Sequence, residues 1–510
     1  MKTLGFLAGS LLHKKVNGSM DVRISGIAYH SDRVRPGTLF ACLPGTRSHG
    51  KEYVARAIAA GAVAILTDGD EIYADVTTIT VPDVRLALSL ISACFYDYPS
   101  RKLFLTGVTG TNGKTTTAHL IDALLQKTGA VTGLLGTVRY KIDEREFPVL
   151  ATTPESCDLQ RLLHRMASAG ATHATMEVSS HALSWLRTVG CDFNYAVLTN
   201  ITEDHLDFHE TLPRYLEAKS KLFSWLGSYP FKGDQPRRAV INGDDKHYRH
   251  ILEQTPVEAV LYGLSPHCHI RASDVRVTRE GVGFTLHTPE GSLPFQLQLT
   301  GLFSVYNALA AISVGYLEGM PLTFMQAVLA EVPGIPGRFE LVSAGQNFTV
   351  IVDYAHTPDG LENILRAVRE FATARVITVF GCGGERDRTK RPQMGEVAGS
   401  YSDYCLVTSD NPRGEDPDRI VAEIIPGLLL SKDESDFEII MEREAAIARA
   451  LDLAREGDVV VIAGKGHETS QIFRNHTIPF DDRAVARELI RRRLKRDGNE
   501  LYADTGGSER

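Results

Sequence analysis

Val108-Thr109-Gly110-Thr111-Asn112-Gly113-Lys114-Thr115-Thr116 is the stretch from which the fold is best read. Leu103-Phe104-Leu105-Thr106-Gly107-Val108 leads into it as a short β-rich run. Thr116 to Leu125 follows, with Leu120, Ile121, Leu124 and Leu125 at helical spacing. A Gly-rich loop between strand and helix lets backbone N–H groups surround phosphate oxygens, and the helix N-terminus adds a favourable dipole. In that frame Gly110, Thr111, Asn112, Gly113 and Thr116 form the cradle. Lys114 neutralises β/γ-phosphate charge, and the Thr115 hydroxyl is placed to ligate Mg2+. The strict pattern has a glycine five residues before Gly113, where this chain has Val108. Such loops serve enzymes, motors and switches alike. A nucleotide-dependent binding switch is therefore the rival class, although no guanine-reading Asn-Lys-x-Asp is present.

Outward from the loop, β-rich runs keep alternating with helical patterns. Ala174 to Val178, Tyr195 to Leu198 and Ala239 to Ile241 are strand candidates, followed by Phe348 to Val352, Val376 to Phe380, Tyr404 to Thr408 and Asp458 to Ile462. This alternation predicts parallel sheets covered by helices. Two breaks divide the chain. Tyr98-Pro99-Ser100-Arg101-Lys102 is a polar stop after the helix-like run Val84 to Phe95. Val332-Pro333-Gly334-Ile335-Pro336-Gly337 places two Pro-Gly-type turns in succession. The expected architecture is α/β in three domains: a small α/β domain over 1–98, a central P-loop ATPase-like and mostly parallel sheet over 99–334, and a Rossmann-like domain over 335–510. The polar end, Asn499 to Arg510, is expected to fray.

Composition narrows the class. A chain of 510 residues accommodates about three domains of roughly 150 residues, each able to bury its own core. With 55 basic and 63 acidic residues the net charge is −8, which argues against a nucleic-acid partner. The basic run Arg491 to Arg496 reads as the polar face of the last helix. Seven cysteines, none in a CxxC pair, fit the reducing cytosol rather than a disulfide framework or zinc ribbon. No run approaches the ~18 apolar residues of a membrane span. The opening MKTLGFLAGSLLHKK ends its apolar stretch in His13-Lys14-Lys15 without a small-residue cleavage site, so a plain first helix is expected rather than a signal peptide.

Ligands of doubly wound sheets bind at the carboxyl ends of strands. Met176-Glu177-Val178-Ser179-Ser180-His181 and Thr199 to His209 place acid and imidazole there, so Glu177 and His205 are candidate metal ligands beside the phosphates. Tyr215-Leu216-Glu217-Ala218-Lys219-Ser220-Lys221-Leu222-Phe223 reads as an amphipathic helix, with Lys219 solvated on spacing alone. Four strand ends of the last block carry polar groups: Asp353 to His356, Gly381 to Asp387, Thr408 to Arg413 and Ala463 to Glu468. Arginines there offer bidentate donors for a carboxylate, and Glu468 can accept from an ammonium. An amino-acid substrate needs both.

GTNGKTT at 110–116, MEVSSHAL at 176–183, TNITEDHLDFH at 199–209 and YLEAKSKLF at 215–223 together resemble the Mur ligases, ATP-dependent amide-forming enzymes of peptidoglycan precursor synthesis. Gly301 to Asn307 is similar to the family's adenine-side segment, and Pro336-Gly337-Arg338-Phe339-Glu340 to its hinge segment. The resemblance implies that Asn307 and Arg338 contact the nucleotide. It further implies that Lys219 is carbamylated (N6-carboxylysine), with one Mg2+ on Thr115 and Glu177 and a second near His205 and the Lys219 carbamate. A carbamate is an anionic oxygen donor of the kind hard cations prefer, and its formation requires a neutral amine. The resemblance makes Lys114, Lys219 and His205 the catalytic set. Ser31, Thr152, Thr153, Ser179 and Arg187 fall on family positions for the UDP-muramyl dipeptide, although His30 and Asp32 depart from the pattern around Ser31. Arg386, Asp410, Asn411, Arg413, Gly464 and Glu468 fall on the amino-acid site, and Asp410-Asn411-Pro412-Arg413 resembles the form associated with meso-diaminopimelate. The implied reaction adds that amino acid to UDP-MurNAc-L-Ala-D-Glu with ATP as co-substrate. The implied protein is a cytoplasmic monomer. A lysine-adding homologue and a folate-polyglutamate ligase are the alternatives within the enzyme class.

Overall fold

The computed structural model describes residues 1–45, 48–73, 75–228, 233 and 235–504. Its architecture is α/β, built on three main sheets. The largest has eleven strands. Its centre is parallel: Thr132–Leu135, His173–Glu177, Phe104–Thr109, Tyr195–Leu198, Arg238–Asn242 and Ala259–Gly263 lie side by side in that order. Antiparallel hairpins extend both edges. The strand Phe104–Thr109 sits between two strands that follow it in sequence. That crossing point in strand order is where a doubly wound sheet opens a crevice at its carboxyl edge.

Both faces of the central parallel strands are covered, and Tyr195–Leu198 is apolar and buried at every position. Tyr195 and Val197 point to one side, against the helices Lys114–Lys127 and Leu302–Leu317. Ala196 and Leu198 point to the other, against Ser156–Ser168 and Leu212–Ser224. The N-terminal sheet has five strands in the order Lys15–Asn17, Thr77–Thr80, Ala62–Thr67, Thr38–Ala41, Gly26–Ala28, antiparallel only at the first pair. The C-terminal sheet has six, in the order Glu340–Leu341, Thr349–Asp353, Val459–Ala463, Val376–Phe380, Tyr404–Val407, Phe437–Ile439, and is parallel after the first pair.

Some expectations need correction. The opening is not a plain helix: Lys2–Thr3 pairs with Arg23–Ile24 as a strand, and only Leu4–Ala8 is helical. The end expected to fray is helical through Asp504, within a helix that starts at Asp482, and residues 505–510 lie outside the described residues. All seven cysteines are free and buried. Among the described residues no helix is long and apolar enough to cross a membrane.

Candidate active site

The phosphate loop is held from below by the strand end that follows Tyr195–Leu198. Asn200 Oδ1 accepts the Asn112 N–H at 2.9 Å, while Thr199 Oγ1 and Asn200 Nδ2 donate to the Asn112 carbonyl at 2.6 and 3.1 Å. Thr111 Oγ1 donates to the Thr202 carbonyl at 3.0 Å and lies 2.9 Å from the Tyr215 hydroxyl. Gly113 adopts φ 83°, the left-handed region that favours glycine, and a Cβ there would meet Asn307 Oδ1 of the helix Leu302–Leu317. Thr115 and Thr116 open the helix Lys114–Lys127 as buried residues. Lys114 Nζ folds back onto the carbonyls of Gly110 and Thr111 at 3.0 and 2.7 Å. Burial pushes its pKa down, against the opposing charge of Glu177.

Glu177 is fully buried at the end of its strand. Its Oε2 accepts from Thr115 Oγ1 at 3.0 Å and Thr137 Oγ1 at 3.1 Å, and its Oε1 from the Thr137 N–H at 2.7 Å. Thr137 Oγ1 lies 3.0 Å from Thr152 Oγ1. Thr153 Oγ1 donates to the Glu177 carbonyl at 2.8 Å and accepts from the Ser179 N–H at 3.0 Å. Arg187 donates to the Thr153 carbonyl at 3.0 Å and to Glu155 at 3.1 Å. Thr152, Thr153, Ser179 and Arg187 thus form one bonded group continuous with the phosphate loop through Glu177. Ser31 is outside it; its neighbours Tyr29 and Arg33 both reach Asp158, at 3.0 and 3.1 Å.

The helix lysine is not solvated. Lys219 is 1% exposed, and its Nζ donates to the Gly110 carbonyl at 2.7 Å. Burial, reinforced by the Lys114 charge, depresses its pKa far below the ordinary lysine range. The amine is therefore held toward the neutral form from which a carbamate is made. His205 sits in the left-handed region at φ 56°, its ring 4.7 Å from that of His181. Burial, then the facing His181, push its pKa down to about 2. The Thr115 hydroxyl with the Glu177 carboxylate, and the neutral His205 imidazole with Lys219 were it carbamylated, offer donors that would suit divalent cations.

The C-terminal sheet faces the same loop. Arg338 Nη2 donates to Thr115 Oγ1 at 3.1 Å, with its guanidinium 4.7 Å from the Tyr354 ring centre. Asp359 accepts from Asn112 Nδ2 and, at 3.2 Å, from Thr202 Oγ1. Around the carboxyl ends of this sheet, Asp410 and Asn411 are buried, and Asn411 Nδ2 donates to Glu468 at 2.8 Å. Asp410 Oδ2 is a buried oxygen with no hydrogen-bond partner among the described residues. A Cβ on Gly464 would meet it at 2.6 Å, so the glycine keeps that oxygen accessible. Arg413, at φ 51°, spends its guanidinium on the carbonyls of Gly384 and Asn411, at 2.9 and 3.3 Å, rather than on a carboxylate. Burial and then the like charge of Arg386 lower its pKa. Two mutually repelling arginines thus share this end of the sheet with Asp410, one of whose oxygens is unsatisfied. Sequence reasoning gave no role to Thr202 and Tyr215, although both lie in the quoted segments 199–209 and 215–223, and missed Thr137 and Asp359, which act by holding named groups and carry no motif of their own.

Fold and site together place the chain among the P-loop nucleotide-binding α/β proteins. Three family profiles match in succession: the Mur ligase family catalytic domain over residues 23–96, the Mur ligase middle domain over 108–315, and the Mur ligase glutamate ligase domain over 337–466. A UDP-N-acetylmuramoyl-L-alanyl-D-glutamate–2,6-diaminopimelate ligase from Syntrophomonas wolfei is 47% identical over 480 residues, covering 94% of this chain and 97% of that one. A solved structure of an enzyme with that name is 31% identical, with a TM-score of 0.67 over 97% of this chain and all of the other. The MurF ligase from Thermotoga maritima, solved with ADP, shares the fold at 18% identity, a TM-score of 0.62 and coverage of 94% and 99%. The chain belongs to the Mur ligase family.

Proposed function

We propose that this protein is an ATP-dependent ligase that joins the D-Glu side-chain carboxylate of UDP-MurNAc-L-Ala-D-Glu to an amine of meso-diaminopimelate. One observation carries the amino-acid half of this reading. At the carboxyl ends of the C-terminal sheet Arg413 lies within electrostatic range of Arg386, Asp410 and Glu468, a pattern that a substrate with both ammonium and carboxylate groups satisfies. The near-full-length relatives named as diaminopimelate ligases support the same choice. The three blocks, 1–98, 99–334 and 335–510, act in this reading as domains for the nucleotide sugar, ATP and the amino acid.

A carboxylate is a poor electrophile because oxide is a poor leaving group. Its oxygen attacks the γ-phosphorus of ATP, the bond to the β-γ bridging oxygen breaks, and ADP departs. The product is an acyl phosphate. The neutral amine attacks the acyl carbon, a tetrahedral intermediate expels phosphate, and the amine proton leaves to give the amide. The protein mainly positions and neutralises charge. The loop amides and Lys114 hold the phosphates, Asn307 and Arg338 hold the nucleotide, and Thr152, Thr153, Ser179 and Arg187 hold the muramyl dipeptide, with Ser31 at its uridine end. Thr115 and Glu177 would hold one Mg2+, and His205 with carbamylated Lys219 a second, and when bound these would neutralise the transferring phosphoryl charge. The buried Glu177–Thr115 pair and the depressed Lys219 amine support that assignment. Cytosolic location and a monomeric state go with this reading. Phosphate release measured with ATP, the muramyl dipeptide and each candidate amino acid tests it. The lysine-adding alternative predicts turnover with lysine, and the switch alternative predicts a slow ATPase indifferent to both co-substrates.

A further inference from the structure

The loop after the strand Val459–Ala463 carries a lysine that no step above uses. Lys465 is fully buried, and its Nζ donates to Asn411 Oδ1 at 3.1 Å, Glu468 Oε2 at 2.9 Å and the Ser470 carbonyl at 2.7 Å. An ammonium has three donors and no acceptor, so its capacity is spent inside the protein and none is left for a substrate. Yet the two side chains it grips stand beside Asp410 and within electrostatic range of Arg413, at the proposed amino-acid site. Asn411 Oδ1 also accepts the Ile472 N–H at 3.0 Å, while Asn411 Nδ2 donates to Glu468 Oε2 at 2.8 Å. Lys465 therefore fixes which end of the Asn411 amide points to Glu468. It also occupies Glu468 Oε2, so the other oxygen of that carboxylate is the one left to bind. Asp410 and Glu468 bring two negative charges to the cleft, and Lys465 offsets one of them. Three groups then present one net charge to one substrate ammonium, around a fully buried lysine where an unbalanced charge is costly.

We propose that Lys465 is a positioning residue for the amino-acid substrate, acting through Glu468 and Asn411 to shape and charge-balance the ammonium site. This rests on the ligase reading, and the wild-type enzyme tests that reading separately: it must release phosphate when ATP, the muramyl dipeptide and diaminopimelate are all present. The decisive experiment is a double-mutant cycle with K465M, E468Q and the double variant, reading KM for diaminopimelate, KM for ATP and kcat. Losing hydrogen bonds to a charged group raises KM for the amino acid by roughly 10- to 100-fold. KM for ATP, whose site lies on the central sheet, stays at the wild-type value. If Lys465 works through Glu468, the double variant is little worse than the weaker single variant. If the two effects multiply, or if KM for diaminopimelate does not move in an active K465M enzyme, the positioning role is wrong. Should K465M not fold, K465Q, which keeps neutral donors, is read by the same cycle. Failure of both variants to fold overturns the proposal in favour of a purely structural lysine bracing the Ser470 backbone.

Discussion

Lys219 shows how a single residue escapes a reading by spacing. Tyr215, Leu222 and Phe223 stand four before, three after and four after it, and all three are buried. Lys219 thus lies inside the apolar stripe of its helix, and a charge in the middle of such a stripe is the signal that was available. Only the resemblance assigned it a role. Lys219→Ala is expected to nearly abolish ligation while leaving the thermal midpoint close to wild type. Small carboxylic acids added to the variant should partly restore turnover, because a carboxylate is what is missing. Near-normal activity without any additive would refute the carbamate. Arg413 is the matching case in the cleft. The DNPR motif made it legible, whereas its left-handed backbone and its proximity to Arg386 were not. Removing one side of a desolvated charged pair costs on the order of 2–5 kcal/mol. Arg413→Ala should therefore lower kcat/KM for diaminopimelate by roughly 30- to several thousand-fold, with KM for ATP nearly unchanged. Equal losses for both substrates would point to misfolding instead of lost recognition.

At the scale of elements, periodicity served well where burial was two-sided. Tyr195–Leu198, Val376–Phe380 and Val84–Phe95 have the bounds that the sequence suggests, and other strands shift by a residue or two. The short helix Leu4–Ala8 did not follow, because Lys2–Thr3 found a strand partner far along the chain. The phosphate-loop helix carries a further titration that no motif announced. His119 Nδ1 lies 2.8 Å from the Thr115 carbonyl, and its Nε2 accepts from Arg139 Nε at 3.1 Å. The second contact demands a neutral ring, with its proton on Nδ1 facing the Thr115 carbonyl. Burial, then the Arg139 charge, push its pKa from the ordinary 6.5 down to about 3. Above pH 6.5 neither folded nor unfolded chain protonates this ring. Below it the unfolded chain takes a proton that the folded one refuses, so stability falls progressively until about pH 3. In urea melts from about pH 7 to about pH 4, the stability advantage of wild type over His119→Gln should shrink as pH falls. A constant difference would show that the ring is not held neutral.

For the whole molecule, the sheet alternation gave the α/β class and the motifs gave the family. What the sequence could not give is how the sheets face one another, since that depends on contacts between residues far apart in the chain. Asp359 shows the difficulty: it opens a C-terminal helix as an ordinary first-turn acid, yet it accepts from Asn112 and Thr202 around the phosphate loop. Such contacts set amino-acid cleft and phosphate loop opposite each other, and the central claim is that these act as one ligase. The most direct test is phosphate release by the wild-type enzyme under four conditions: ATP alone, ATP with the muramyl dipeptide, and both with either meso-diaminopimelate or lysine. Little release is expected with ATP alone, a large rise only when the muramyl dipeptide and diaminopimelate are both present, and poor turnover with lysine, which leaves Arg413 without a carboxylate. Lysine turnover equal to that with diaminopimelate would contradict the assigned substrate, and phosphate release indifferent to both co-substrates would contradict the ligase itself.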